Sequence, residues 1–156
     1  MALPVADATP QTFGHMSTLA EEVAKFRQWA DSAGLHPGCG EWELDYLGWD
    51  EFYAAVEIFV ETATDRVLGS AELDLLLYAL ARDIEGYRIH ETMERFPTVA
   101  IQVLQRAVGF PDTNARWQAA LLLGSIRSPD AISLLQHFLT DEAESVRKVA
   151  SWSIQD

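Results

Sequence analysis

The stretch Ala115-Arg116-Trp117-Gln118-Ala119-Ala120-Leu121-Leu122-Leu123-Gly124-Ser125-Ile126 can be laid over Val146-Arg147-Lys148-Val149-Ala150-Ser151-Trp152-Ser153-Ile154, with Arg116 and Arg147 in register at an offset of 31 residues. Between the two copies lie Ser128-Pro129-Asp130, then Ala131 to Thr140 with Ile132, Leu135 and Leu139 on one stripe, then Asp141. A period of this size is one helical hairpin, and apolar stripes recurring at it stack into a continuous core. The small pair Ala119-Ala120 is expected where neighbouring helices come closest. Pro129 is placed to start the second helix of the hairpin.

The rest of the chain also reads as helices. Pro97 at a first helical position opens Thr98 to Val108. Ser70 starts a helix from about Ala71 to Asp83, with Leu73, Leu76, Leu77 and Leu80 at helical spacing; it continues, with a break or bend at Gly86, through Tyr87 to Phe96. Phe52, Val56, Phe59 and Ala63 predict a helix over Asp50 to Ala63, with Asp50, Glu57 and Glu61 on a different face. Thr18 followed by Glu21 has capping-box spacing and opens Leu19 to Ser32, with Val23, Phe26 and Ala30 on one face; Gly34 stops it. Leu35 to Gly40, with Pro37 and two glycines, reads as a loop. Residues 1–16 read as a disordered leader or a cloning remnant, with the natural start at Met16.

The pattern of loop Asp, Arg, two small residues, Leu-Gly-x-Ile and a Pro-containing turn resembles the short bacterial HEAT repeat, of the kind also found in phycobilin lyases. Arg116, Ala119, Ala120, Leu123 and Gly124 fit its first helix; Pro129, Ile132 and Leu135 fit its turn and second helix. The resemblance implies an all-α fold, a right-handed α-α superhelix in which helical hairpins stack as a HEAT-like solenoid. One repeat domain is expected over 17–156, clear over 97–156 and degenerate over 17–95. A softer resemblance, carried by Gly40-Glu41-Trp42-Glu43, Leu77-Tyr78-Ala79-Leu80-Ala81-Arg82-Asp83, Ala115-Arg116-Trp117-Gln118 and Asp141-Glu142, is to small bacterial HEAT-repeat proteins, some of which sit beside toxin genes as immunity proteins.

Charge narrows the partners. Eleven Lys and Arg against 24 Asp and Glu give a formal net charge of −13, which repels phosphate backbones and anionic lipid and favours a basic protein. No nucleic acid or membrane is expected as a partner. A single cysteine, Cys39, excludes an internal disulfide and fits a cytoplasmic setting.

From Asp31 to Asp65 the chain has nine acids and no Lys or Arg. Within that segment Glu41, Trp42, Glu43, Asp45, Trp49, Asp50, Tyr53, Glu57 and Glu61 form the candidate partner-binding set, because aromatic anchors ringed by charge are what a protein-binding hot spot needs. The competing reading has Trp42, Tyr46 and Trp49 filling the core while the acids form a solvated face.

Other candidates are weaker. Deoxyhypusine hydroxylase, also built on a HEAT scaffold, binds its di-iron centre through several His-Glu pairs; this chain has only His90-Glu91, so a surface or cap role is expected there. His36 and Cys39 have ligand-like spacing without a second pair. Arg82-Asp83, Arg116 and Arg147 read as fold residues, with Asp112 available to Arg116 and Asp141 to Arg147. No catalytic residue, metal or cofactor is assigned. The expected function is non-enzymatic protein binding, as an immunity protein that neutralises a cognate toxin. The alternatives are a regulatory or scaffold subunit, or a HEAT-scaffold lyase or metal-dependent hydroxylase. Trp152 and Ile154 lie in a final helix with no following partner, so either the N-terminal half or another chain is needed to cover them; the oligomeric state is not readable.

Overall fold

A computed structural model describes residues 17–34, 45–84 and 86–155. They form eight helices: α1 (Leu19–Ser32), α2 (Trp49–Thr62), α3 (Ser70–Leu80), α4 (Arg88–Arg95), α5 (Pro97–Ala107), α6 (Thr113–Ile126), α7 (Pro129–Phe138) and α8 (Glu144–Gln155). There is no strand among the described residues. The architecture is an all-α helical repeat.

Helix starts follow the expected chemistry. The Thr18 hydroxyl accepts from the Glu21 amide at 3.2 Å, and the Glu21 carboxylate accepts from the Thr18 amide at 2.7 Å, closing the capping box of α1. Pro97 and Pro129 occupy first turns of α5 and α7, where a missing N–H costs nothing. The Ser128 hydroxyl and an Asp112 carboxylate oxygen accept from Ala131 and Asn114 amides, capping α7 and α6.

Helix α3 stops at Leu80 rather than Asp83, and the following segment is a separate helix. Tyr87 sits in the left-handed region at φ 48° and cannot cap α4 with its own side chain. Asp83 does so from outside: its Oδ2 accepts from the Ile89 and His90 amides at 2.8 and 3.1 Å. Thus Arg82 and Asp83 leave the helix to work between elements.

In the stack, α6 packs against α3 on one side and α8 on the other, while α5 and α7 form the second row. Ala119 and Ala120 are fully buried, as the small pair requires, and so are Leu76, Leu77, Leu104, Leu122 and Phe138. Helices α6 and α8 approach so closely that a Cβ added at Gly124 would meet the Ser153 Cβ at 2.8 Å. One stripe differs from expectation. Leu135 is buried, but Ile132 and Leu139 are exposed, because they face the side on which no further hairpin is present among the described residues.

A polar ladder ties the repeats. Arg116, almost wholly buried, donates from Nε and Nη2 to the two Asp141 oxygens at 2.9 and 3.2 Å, while its Nη1 donates to the Phe110 and Pro111 carbonyls at 2.6 and 3.3 Å. Arg82 reaches Asp112 at 3.3 Å. The pairing is therefore displaced by one repeat from the sequence reading: Asp112 serves Arg82 rather than Arg116, and Asp141 serves Arg116 rather than Arg147. A long side chain in a helix points back over the preceding turn, which brings Arg116 to its own entry loop and to the carboxylate of the next one. Arg147, at the same place in α8, donates its Nη1 to the Asp141 and Glu142 carbonyls at 2.7 and 2.9 Å.

Two substitutions test this architecture by equilibrium denaturation. Ala119→Leu is expected to overpack the α6 interface and cost about 1–3 kcal/mol; an unchanged melting temperature would show the position to be open. Asp141→Ala is expected to cost about 3 kcal/mol, since it takes the bidentate acceptor from a buried guanidinium and leaves it two carbonyls and the exposed Glu142 carboxylate at 3.1 Å; a loss below about 1 kcal/mol, the worth of an exposed pair, would contradict the ladder.

Candidate functional site

Of the candidate aromatics, Trp49 and Tyr53 are half-buried. Trp49 stacks on Tyr53 at 5.2 Å and lies 5.3 Å from both Phe26 and Phe52, while Tyr46 meets Phe26 edge-on at 5.0 Å. These rings join α1 to α2, and Tyr46, Trp49 and Tyr53 are half-buried against the core. Glu41, Trp42 and Glu43, with His36 and Cys39, lie outside the described residues. Asp45 is exposed just ahead of α2.

The acids on α2 have internal partners. Arg88 on α4 donates to Asp50 at 3.2 Å and Arg95 donates to Glu57 at 2.6 Å, seven residues apart on each helix, so the pairs recur along the α2–α4 seam. Both pairs are solvent-exposed, each worth at most about 1 kcal/mol. They nevertheless engage two of the six candidate carboxylates, Asp50 and Glu57, while Glu61 remains exposed.

Helices α2 and α4 flank an open cleft of about 620 Å³ lined by Tyr53, Glu57, Arg88, Glu91, Glu94 and Arg95, with Ile89 and Thr92 at its floor. Arg88 lies 4.6 Å over the Tyr53 ring, a cation–π contact that fixes it against α2. Burial, reinforced by the nearby Asp83 carboxylate, pushes the Tyr53 hydroxyl up to about 12. With Arg88 and Arg95 engaged by Asp50 and Glu57, the cleft's remaining charges are Glu91 and Glu94. Both are exposed and make no ion pair among the described residues.

Behind the cleft is a buried polar junction. The His90 Nε2 lies 2.7 Å from Gln118 Oε1, and the Gln118 amide donates to the Asp83 carbonyl at 3.0 Å. Since the Gln118 NH2 group is committed to that carbonyl, its oxygen faces His90, which assigns the imidazole proton to Nε2. His90 is thus a buried link between α4 and α6, and the expected surface or cap role is incorrect. Burial lowers its pKa, partly opposed by Gln118, and burial raises that of Asp83 against the two amides it accepts from. Among the described residues no three His, Cys, Asp or Glu side chains are grouped so as to hold a metal ion.

The geometry offers a polar cleft and a continuous helical face for contact. A family model for HEAT repeats matches residues 72–155, more than half of the chain. The chain belongs to the HEAT-repeat family. The match begins in α3, upstream of the clear repeats read from the sequence. No curated protein and no solved structure matches. HEAT repeats commonly mediate protein–protein interaction, and that is the level of function the family carries. Among the described residues no helix of this HEAT protein is long and apolar enough to cross a membrane.

Sequence reasoning passed over Arg88, Arg95 and Gln118. For the arginines a signal existed: their seven-residue spacing on α4 matches that of Asp50 and Glu57 on α2. Gln118 carried no signal beyond being a polar residue among alanines and leucines.

His90 generates a pH prediction. Its folded pKa lies below the ordinary 6.5, so below pH 6.5 the unfolded chain binds a proton that the folded chain refuses, and stability falls as pH falls through that window. Urea denaturation at pH 7.5 and below 6.5 is expected to show this loss in the wild type and a smaller one in His90→Gln. Equal losses in both proteins would contradict it.

Proposed function

We propose that this HEAT protein is a non-enzymatic binding module whose acidic N-terminal half receives a basic protein at the α2–α4 cleft. One observation carries the reading: residues 17–112 hold 18 Asp and Glu against seven Lys and Arg, whereas residues 113–155 hold four of each. Like charge so concentrated destabilises the fold by self-repulsion, and a cationic partner converts that cost into attraction and a faster encounter. In the cleft, Glu91 and Glu94 are the carboxylates left open, with Glu61 on α2 beyond them. The Arg88 and Arg95 pairs can exchange carboxylates with an incoming guanidinium because they are solvent-exposed. Tyr53, rigid in its stack, presents an edge suited to desolvated contact.

The finer role is that of a cytoplasmic immunity protein that holds a basic toxin domain and blocks it by coverage. What supports this is the likeness of the 40–43, 77–83 and 115–118 motifs to small HEAT proteins of that kind, together with the charge partition.

The test uses a basic partner captured from host lysate and then purified. Glu91→Lys with Glu94→Lys is expected to slow association at least several-fold and flatten its dependence on ionic strength, with dissociation little changed. Kinetics identical to wild type at two salt concentrations would remove the cleft from the interface. Glu57 is unsuitable for reversal, because a lysine there would face Arg95, and Trp49→Ala would read core packing rather than contact.

A further inference from the structure

Resting on the α2–α4 cleft as the contact surface, we propose that Asp50 and Tyr53 of α2 form a seat for an arginine side chain of the basic partner, and that the chain's own Arg88 holds this seat until the partner displaces it. Asp50 and Tyr53 are three residues apart on α2, so a carboxylate and an aromatic ring stand side by side on one face. Trp49 stacks on Tyr53 with centroids 5.2 Å apart and ring planes at 21°, which steadies the ring and covers one of its faces. The other face takes a cation. Arg88 lies there, its guanidinium carbon 4.6 Å from the Tyr53 centroid, and its Nη1 donates to Asp50 Oδ1 at 3.2 Å.

A ring face beside a carboxylate suits a guanidinium better than an ammonium. The planar fork stacks on the ring and donates to the acid at once, whereas the lysine nitrogen is a compact, strongly hydrated point charge that gains less from the ring. The second pair of the seam is built differently. Arg95 donates to Glu57 at 2.6 Å, but its cation–π contact is with its own neighbour Phe96, at 5.7 Å, and not with a ring of α2. The seam therefore carries one seat of this kind among the described residues.

Arg88 is an occupant that can be displaced. Its side chain is 48% exposed and that of Asp50 is 93% exposed, so solvent screens the pair. Arg88 is also the first residue of α4, where the positive end of the helix opposes a cation. Once displaced it has another carboxylate within reach: Glu91, three residues further along α4, is exposed and makes no ion pair among the described residues. An incoming arginine thus exchanges one exposed pair for another and breaks no buried one. The cleft of about 620 Å³ beside Tyr53 and Arg88 gives it room to enter.

Calorimetric titration of the full chain with acetylated, amidated tetra-arginine and tetra-lysine peptides at one low ionic strength tests the seat, the readout being the ratio of the two dissociation constants. Arg88→Gln is expected to raise the preference for the arginine peptide about two- to fivefold over wild type, the scale of an exposed cation–π contact. Arg106→Gln, which removes the same charge from an exposed position on α5, is expected to tighten both peptides alike and leave the ratio at its wild-type value. Arg88→Lys keeps the charge and is expected to raise the ratio in the same direction, which serves should the glutamine variant not fold. Adding Asp50→Asn to Arg88→Gln is expected to remove most of the gain. A ratio that stays flat in both Arg88 variants, or that rises as much in Arg106→Gln, overturns the seat. Glu91→Lys with Glu94→Lys keeps that failure distinct from failure of the cleft. Peptides that weaken under this reversal while the ratio ignores Arg88 overturn the seat alone; peptides indifferent to both overturn seat and cleft together.

Discussion

The buried bidentate pair between Arg116 and Asp141 is the contact on which the stack depends. Burying a guanidinium is costly, and this one is tolerated because every direction of its fork has an acceptor: two carboxylate oxygens from the next repeat and two carbonyls from its own entry loop. The carboxylate is placed by its own local duty, since Asp141 Oδ1 also accepts from the Ala143 amide at 2.9 Å, as Asp112 does from Asn114. Local turn chemistry and long-range packing thus select the same conformation, which is the consistency a well-specified fold displays. Apolar stripes alone would permit the hairpins to slide along one another; the pair fixes the register.

Much of this was legible in the sequence. The 31-residue offset, the proline starts, the Thr18–Glu21 box and the alanine pair each have a local physical meaning, and each appears where expected. What the sequence did not reveal is direction across space. Asp112 and Asp141 were recognised as ladder members, but which arginine each meets depends on how far a side chain reaches over the preceding turn. Likewise the break after α3 was visible at Gly86, while the device that restarts the chain was not: an aspartate capping amides six and seven residues ahead while Tyr87 holds a left-handed turn.

The candidate site was legible as composition and not as geometry. Asp50, Glu57 and Glu61 do share a helix, yet their neighbours on α4 decide what they do, and Arg88 and Arg95 lie 38 residues away in each case. Trp49 and Tyr53 satisfy the pattern of an aromatic hot spot and also the pattern of a helix face packed on α1; both patterns share one spacing, and only the position of Phe26 separates them. Charge survives this better than contact does, because the surplus of acids in residues 17–112 does not depend on any one side chain's direction.

The ladder has a polarity. Each arginine looks toward the C-terminus for its carboxylate, so the two sides of a repeat boundary are unlike. Separating α8 and its entry loop from the stack would leave Arg116 with its charge unanswered, whereas separating α3 would leave Asp112 part-exposed and still capping α6. Shedding from the N-terminal side breaks the Arg82–Asp112 pair and the Gln118–Asp83 link along with apolar contact, while shedding from the C-terminal side takes the bidentate carboxylate from an arginine that stays behind. The two cut faces are therefore unlike, one keeping a carboxylate with a capping duty and the other an arginine without its acid, an asymmetry set by the reach of an arginine side chain.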